Sequence, residues 1–258
     1  MFISNTHDGT VCKINDGQHK VLCKPSRTAL KKIQQRLAQE LRSLRGADPA
    51  DVIRTLNPII KGQANYFRPG ASKKAFQGLD NHLWQHLYKW ALRRHPRKPR
   101  RWVTARYFGP FHPTRRDRWV FGDCDSGAYL HQYAWTPIVR HAPVPGRHSP
   151  DDPALAQYWA DRRRKRRPPQ LAPSWERSLR TQHGRCPLCA QPLLHVANPP
   201  DSCTQWETWY RGIRTAIAHR AITDNGSGRT IARLVHTDCA RRHPGAGPHD
   251  PDQRLHDA

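Results

Sequence analysis

The sequence predicts an α+β chain: a helical domain, an irregular basic connector and a small metal-held module. Three observations carry that expectation. Apolar residues recur at spacings of three and four between Leu30 and Trp90, the mark of amphipathic helices. Most of the 23 prolines fall after residue 95, where periodicity fades. Near the C-terminus, "CPLC" and "HTDC" offer four soft ligands in two short turns.

Composition bounds the rest. Only 36% of the 258 residues are hydrophobic, which argues against one continuous core. The formal net charge is +24 and the isoelectric point is near 10.7. Such a chain repels itself unless a polyanion neutralises it, so nucleic acid is the first partner to consider, ahead of a merely well-solvated surface. No run of about 18 apolar residues and no signal-peptide pattern occurs, so no membrane partner is expected. The seven cysteines are scattered apart from one Cys-x-x-Cys, which favours metal ligation in a reducing cytoplasm. Cys12, Cys23 and Cys124 lack partner spacing and read as ordinary small residues.

Residues 1–24 read as a hairpin, two β-prone runs about Asn15-Asp16-Gly17. Residues 25–118 form the helical domain. Its first helix opens after Pro25-Ser26, carries the stripe Leu30, Ile33, Leu37, Leu41 and Leu44, and stops at Gly46. The second starts at Asp48-Pro49, carries Val52, Ile53, Leu56 and Ile60, and is expected to bend at Asn57-Pro58. The third begins near Ser72 with Phe76, Leu79, Leu83, Leu87 and Trp90 on one face. From Lys89 to Arg118 there are eleven Lys or Arg against one acid, interleaved with aromatic residues. Cations for phosphates beside ring faces for stacking make a nucleic-acid surface of this stretch.

Residues 119–170 are the connector; short strands and loops on the surface of something larger are expected over 109–150, and a short helix running into a basic run over 151–170. Asp123 and Asp125 in "FGDCDSG" read as turn residues rather than metal ligands. The run Arg162, Arg163, Arg164, Lys165, Arg166 and Arg167 is a linker or a clamp on a phosphate backbone, and its place before the metal module favours the clamp. Residues 171–246 are that module, and 247–258 are expected to be a disordered tail.

Cys186 and Cys189 come from "CPLC", His236 and Cys239 from "HTDC". Two such knuckles make a tetrahedron of three sulfurs and one nitrogen, which Zn2+ accepts as a closed structural site. In a module with so little apolar material, metal binding supplies much of the folding free energy. A thioredoxin-like redox pair is the rival, and it lacks its βαβ context here. Cys203 and His195 lie between the knuckles and could substitute as ligands, but neither sits in a knuckle.

With these residues in view, the chain resembles the C-terminal portion of a group II intron-encoded protein. Val52 to Phe108 carries the landmarks of the maturase-specific domain in order: "LNPIIKGQANYFR", "SKKAFQGLDNHLW" and "WALRRHPRKPRRWVTARYF". "DPALAQYWADRRRKR", "WERSLRTQHGRCPLC" and "LVHTDC" resemble the HNH endonuclease module that often ends these proteins. No Tyr-x-Asp-Asp pair occurs, and polymerase chemistry needs paired carboxylates. The resemblance therefore implies a C-terminal piece, with any reverse-transcriptase half encoded separately.

It further implies group II intron RNA and target DNA as partners in a cytoplasmic, nucleoid-associated setting. The RNA contacts it implies are Arg68, Lys73, Lys74, Arg93, Arg94, Arg97, Lys98, Arg100 and Arg101, with Trp84, Trp90 and Trp102 as scaffold. For the module it implies a ββα platform binding DNA through Arg185, Arg214, Arg220, Arg229, Arg233 and the 162–167 run. Of the expected catalytic histidine pair only His219 remains; Ile231 takes the asparagine position and Ala240 follows Cys239 where a histidine is expected. His243 stands nearby as a replacement metal ligand. The alternative is an active HNH endonuclease using Mg2+ or Mn2+, with His219 polarising the attacking water.

Overall fold

The structure is a computed structural model and describes residues 2–3, 10–15, 20–140, 144–146, 148–149, 151–164, 171, 173–194, 200–223 and 230–243. The expected tail at 247–258 lies outside the described residues, as do Lys165, Arg166, Arg167, His195 and Arg229. Strands β1 (Phe2–Ile3), β2 (Thr10–Asn15) and β3 (Lys20–Pro25) form an antiparallel sheet in chain order. Cys12 and Cys23 stand directly opposite each other in the β2–β3 register, and Cys23 is disulfide-bonded. That corrects the reading of Cys23 as an ordinary residue: opposed strand positions lie ~5 Å apart at Cβ, a proximity that residue spacing conceals. The Cys23 carbonyl also accepts from the Ala71 amide at 2.7 Å, tying the sheet to the helical body.

Helix α1 (Arg27–Ser43) is capped by Ser26, whose Oγ accepts from the Ala29 amide at 3.0 Å. It buries Ile33, Leu37 and Leu41 and ends just short of the predicted stop at Gly46. Helix α2 (Pro49–Phe67) begins after Asp48 and runs through Pro58 without ending. Pro58 offers no amide to the preceding turn, and burial of Leu56, Ile59 and Ile60 offsets that loss. Helix α3 (Lys73–Arg94) lays Phe76, Leu79, Leu83, Leu87 and Trp90 on the same core. The Trp90 indole N–H donates to the Leu44 carbonyl at 2.8 Å, pinning α3 to the end of α1.

A fourth helix, α4 (Arg100–Tyr107), was not predicted, because its basic residues mask two buried positions, Val103 and Tyr107. It leads into β4 (Phe108–Gly109), which pairs with β5 (Val120–Phe121). The following segment is not the surface loop expected. Val120, Phe121, Leu130, Tyr133 and Trp135 are buried, and several of them close the helical core. Aromatic residues without periodicity are buried here one at a time, which leaves backbone groups to satisfy. Asn57 accepts from the His131 amide and donates to the Tyr129 carbonyl, at 2.7 and 3.1 Å. The Asp80 carboxylate accepts from the Tyr133 and Ala134 amides at 2.7 and 2.8 Å. Asp123 accepts from the Ser126 hydroxyl and amide, a turn role as the sequence suggests.

Beyond α5 (Ala156–Arg164) and α6 (Pro173–Thr181), the chain enters α7 (Cys203–Ala216). Strands β6 (Ile217–Thr223) and β7 (Thr230–His236) then pair antiparallel, and α8 (Thr237–Arg242) follows at once. A second, smaller core gathers Cys186, Leu193, Ile213, Ile217, Leu234 and Val235. Helix α7 serves both cores: Ile213 faces the small one, while Cys203 packs against the large one. Among the described residues, no helix is long and apolar enough to cross a membrane.

Candidate metal centre and nucleic-acid interface

The "CPLC" turn is shaped by its flanks. Arg185 and Pro192 form an isolated antiparallel bridge, the Cys186 amide donates to the Gln191 carbonyl at 2.9 Å, and the Ala190 amide donates to the Cys186 carbonyl at 2.8 Å. Gly184 sits at φ 71°, a left-handed backbone that suits glycine. The second knuckle straddles a strand–helix junction, with His236 ending β7 and Cys239 in the first turn of α8. Gln182 links the two: its amide nitrogen donates to the Leu234 carbonyl at 2.8 Å, and its oxygen accepts from the Leu234 amide at 2.9 Å.

These elements bring the ligand atoms of Cys186, Cys189, His236 and Cys239 within 4.8 Å of one another. Tetrahedral zinc with bonds of about 2.3 Å puts sulfurs roughly 3.8 Å apart, so only a slight contraction closes the shell. His236 is already oriented. Its Nε2–H donates to the Pro192 carbonyl at 3.2 Å, which leaves Nδ1 facing the sulfurs of Cys189 at 3.3 Å and Cys239 at 3.8 Å. A fixed tautomer of this kind is what a metal-bound imidazole requires.

The thiols respond to their surroundings in opposite ways. Burial pushes Cys186 up, but hydrogen bonds from the backbone of His236, Leu188 and Cys189 outweigh it and hold the thiol at about 7. Burial, together with Cys189 and Cys186, pushes Cys239 up to about 11. Crowded thiolates are costly until a cation neutralises them, and the donor set of three sulfurs and one imidazole suits zinc. Of the two substitute candidates, Cys203 does not join the cluster. Cys203 is the first residue of α7 and packs at the large core, where burial raises its thiol to about 12, and His195 lies outside the described residues. His243 stands exposed at the end of α8, apart from the four.

His219 lies mid-strand in β6, half-buried, opposite Leu234, with its ring edge-on to Trp175 at 5.8 Å. Arg220 points the other way, is 8% exposed and donates to the Ala240 carbonyl, so it braces α8 instead of facing solvent. Arg233 donates to the Thr181 hydroxyl, Arg185 to the Ala190 carbonyl, and Arg214 is exposed.

The helical cations divide between structural and free. Arg94 is held by Asp48 at 2.6 Å and by the Ala47 carbonyl at 2.6 Å, locking α3 to the α1–α2 turn. Arg68 donates to Asn65, and Lys73 to the Ala134 carbonyl at 2.6 Å. Lys74, Arg93, Arg97, Lys98, Arg100 and Arg101 are exposed, with the Lys98 ammonium 5.3 Å from the Trp102 ring centre. Trp90 is buried and Trp84 half-buried, but Trp102 is 38% exposed and available for stacking. Arg162 donates to the Tyr158 hydroxyl and lies over Trp159. Arg163 and Arg164 sit in the last turn of α5.

Residues 30–108 match the family described as group II intron, maturase-specific domain. The match runs from α1 through α4 to the start of β4, and so coincides with the helical body that carries the free cations. It supports a group II intron maturase, and a maturase domain implies group II intron RNA as its partner. The metal cluster and β6–β7–α8 lie outside the matched residues. No curated protein matches the chain.

Proposed function

We propose that this protein grips group II intron RNA with its helical domain to promote splicing and mobility, while a zinc-held, HNH-like C-terminal module binds target DNA. The observation that carries the reading is the maturase-domain match over a body whose outer cations face solvent. The protein supplies binding energy and the RNA does the chemistry. Arg93, Arg97, Lys98, Arg100 and Arg101 meet phosphates, and Trp102 offers a face for a base. Zinc is structural, with Cys186, Cys189, His236 and Cys239 as its shell. A separately encoded reverse-transcriptase half and a cytoplasmic, nucleoid-associated setting belong to the same proposal.

The test is affinity for a cognate group II intron RNA against a structured RNA of equal length at matched salt. Preference for the intron RNA is expected; equal affinity overturns the reading in favour of a general basic binder.

A second reading is an HNH endonuclease nicking DNA. What favours it is the hairpin–helix order β6–β7–α8 with His219 on the first strand. Metal-dependent nicking with Mg2+ or Mn2+ that disappears in His219→Ala would establish it.

A further inference from the structure

Between α1 and α3, away from the metal cluster, lies an open cavity of about 220 Å³. Ala38, Leu41 and Trp90 supply its apolar surface; Arg42, Arg45, His86 and Arg93 supply the rest. No carboxylate lines it. Arg42, Arg45 and Arg93 are exposed, and none makes an ion pair or hydrogen bond among the described residues. They contrast with Arg94, one residue along α3, whose guanidinium is consumed by Asp48.

The side-chain charges that act on His86 are all positive. His86 is held below the ordinary histidine value by burial and then by His82, Lys89, Arg42 and Arg93, every one a cation or a potential cation. The His82 ring lies 4.4 Å from that of His86, and its Nε2 is buried without a hydrogen-bond partner. One effect opposes an anion here. Arg42 and Arg93 each lie in the last turn of a helix, so the carbonyl ends of α1 and α3 point toward the site. Each such end is worth roughly half a negative charge. The Leu44, Gly46 and Ala47 carbonyls are already engaged by Trp90 and Arg94, and three full guanidinium charges outweigh what remains.

We infer that this cavity is a phosphate-binding pocket for the RNA backbone, with Arg42, Arg45 and Arg93 as a three-sided clamp and Trp90 as its floor. Guanidinium forks match the paired oxygens of a phosphodiester, and the open mouth admits a continuous strand. Exposed Arg97, Lys98, Arg100 and Arg101 follow in the chain just past the C-terminal end of α3, where they can meet a strand that leaves the pocket on that side. This rests on the RNA-binding reading above and adds to it a defined contact at the C-terminal end of α1.

The experiment compares three full-length proteins: wild type, Arg42→Ala/Arg45→Ala/Arg93→Ala, and the charge-matched control Arg177→Ala/Arg180→Ala/Arg242→Ala, whose arginines are exposed elsewhere. Affinity for the intron RNA is measured across salt concentrations. The pocket triple is expected to lose about tenfold or more, and its salt slope to fall by about one per phosphate contact removed. The control should lose only a few-fold. Equal losses in the two triples overturn the pocket, because the effect is then one of net charge. An equal loss for duplex DNA of the same length overturns the assignment to RNA. If wild type binds intron and control RNA equally while the pocket triple weakens both, the intron reading fails and the pocket stands. Should the triple melt early, Arg45→Glu, past the end of α1, repeats the measurement; unchanged affinity there also overturns the proposal.

Discussion

Gly62 in α2 lies against the backbone of Glu207 in α7, so close that a Cβ at position 62 would sit 2.7 Å from the Glu207 amide nitrogen. Around that notch the Glu207 carboxylate, 2% exposed, meets Arg36 at 2.7 Å and Arg211 at 2.6 Å, and Asn65 hydrogen-bonds the Tyr210 hydroxyl. The maturase body and the segment between the two knuckles are thereby packed backbone to backbone.

Gly62→Ala sets two effects against each other. Alanine in a helix interior is worth about 1 kcal/mol over glycine. The clash is with backbone, which cannot swing aside, and overpacking of this kind costs roughly 1–3 kcal/mol. Net destabilisation is expected, read as a lower urea midpoint; a more stable variant would mean that α7 does not dock there.

Burial beneath this interface, and then the charge of Arg214, lower Lys61 from 10.5 to about 8. Between those values the unfolded chain holds a proton that the native chain has released, so stability should rise as pH climbs from about 8 to about 10.5. The rise is at most about 3 kcal/mol. Lys61→Met should flatten that limb of the pH–stability curve, and a variant curve parallel to wild type refutes the assignment.

Tyr133 is fully buried, and its hydroxyl donates to the Gln63 side chain, itself 3% exposed. Tyr133→Phe keeps the ring and orphans the Gln63 oxygen, a loss of about 1–3 kcal/mol. Thermal melting checks it; no change in melting temperature would rule out the buried bond.

Purified protein should carry one tightly held zinc per chain, and Cys186→Ser should lose it. Chelation should melt the small core first, since Cys186 is part of that core and the ion supplies much of its folding energy. Metal analysis with far-ultraviolet circular dichroism decides; a chelated protein with an unchanged spectrum argues against a structural ion.

The helices α1 to α3 were legible because long amphipathic stripes and Ser or Asp-Pro caps are local signals. The four clustered ligands were legible because knuckle spacing is local too. What escaped was long-range. Trp206, Tyr210 and Ile213 do recur along α7, but nothing in that stripe names α2 as its partner. Gly62 reads as a weak helix residue until Glu207 is placed beside it. Arg94 looks like exposed Arg93 and Arg220 like exposed Arg214 in sequence, and only Asp48 and the Ala240 carbonyl mark them as internal. Tyr133 and Trp135 sit in a proline-rich stretch without period, where burial depends on Asn57 and Asp80 supplying the hydrogen bonds.

Because α7 sits in the chain between the "CPLC" and "HTDC" turns, trimming the protein back to its matched residues would strip a helix from the side of α2. The bared flank would hold Gly62, Asn65 and a half-buried lysine, with Arg36 stranded opposite an absent carboxylate. A dissected 30–108 fragment is thus a poor stand-in for the whole: its stickiness or weak RNA affinity would report a missing neighbour, not an inactive domain.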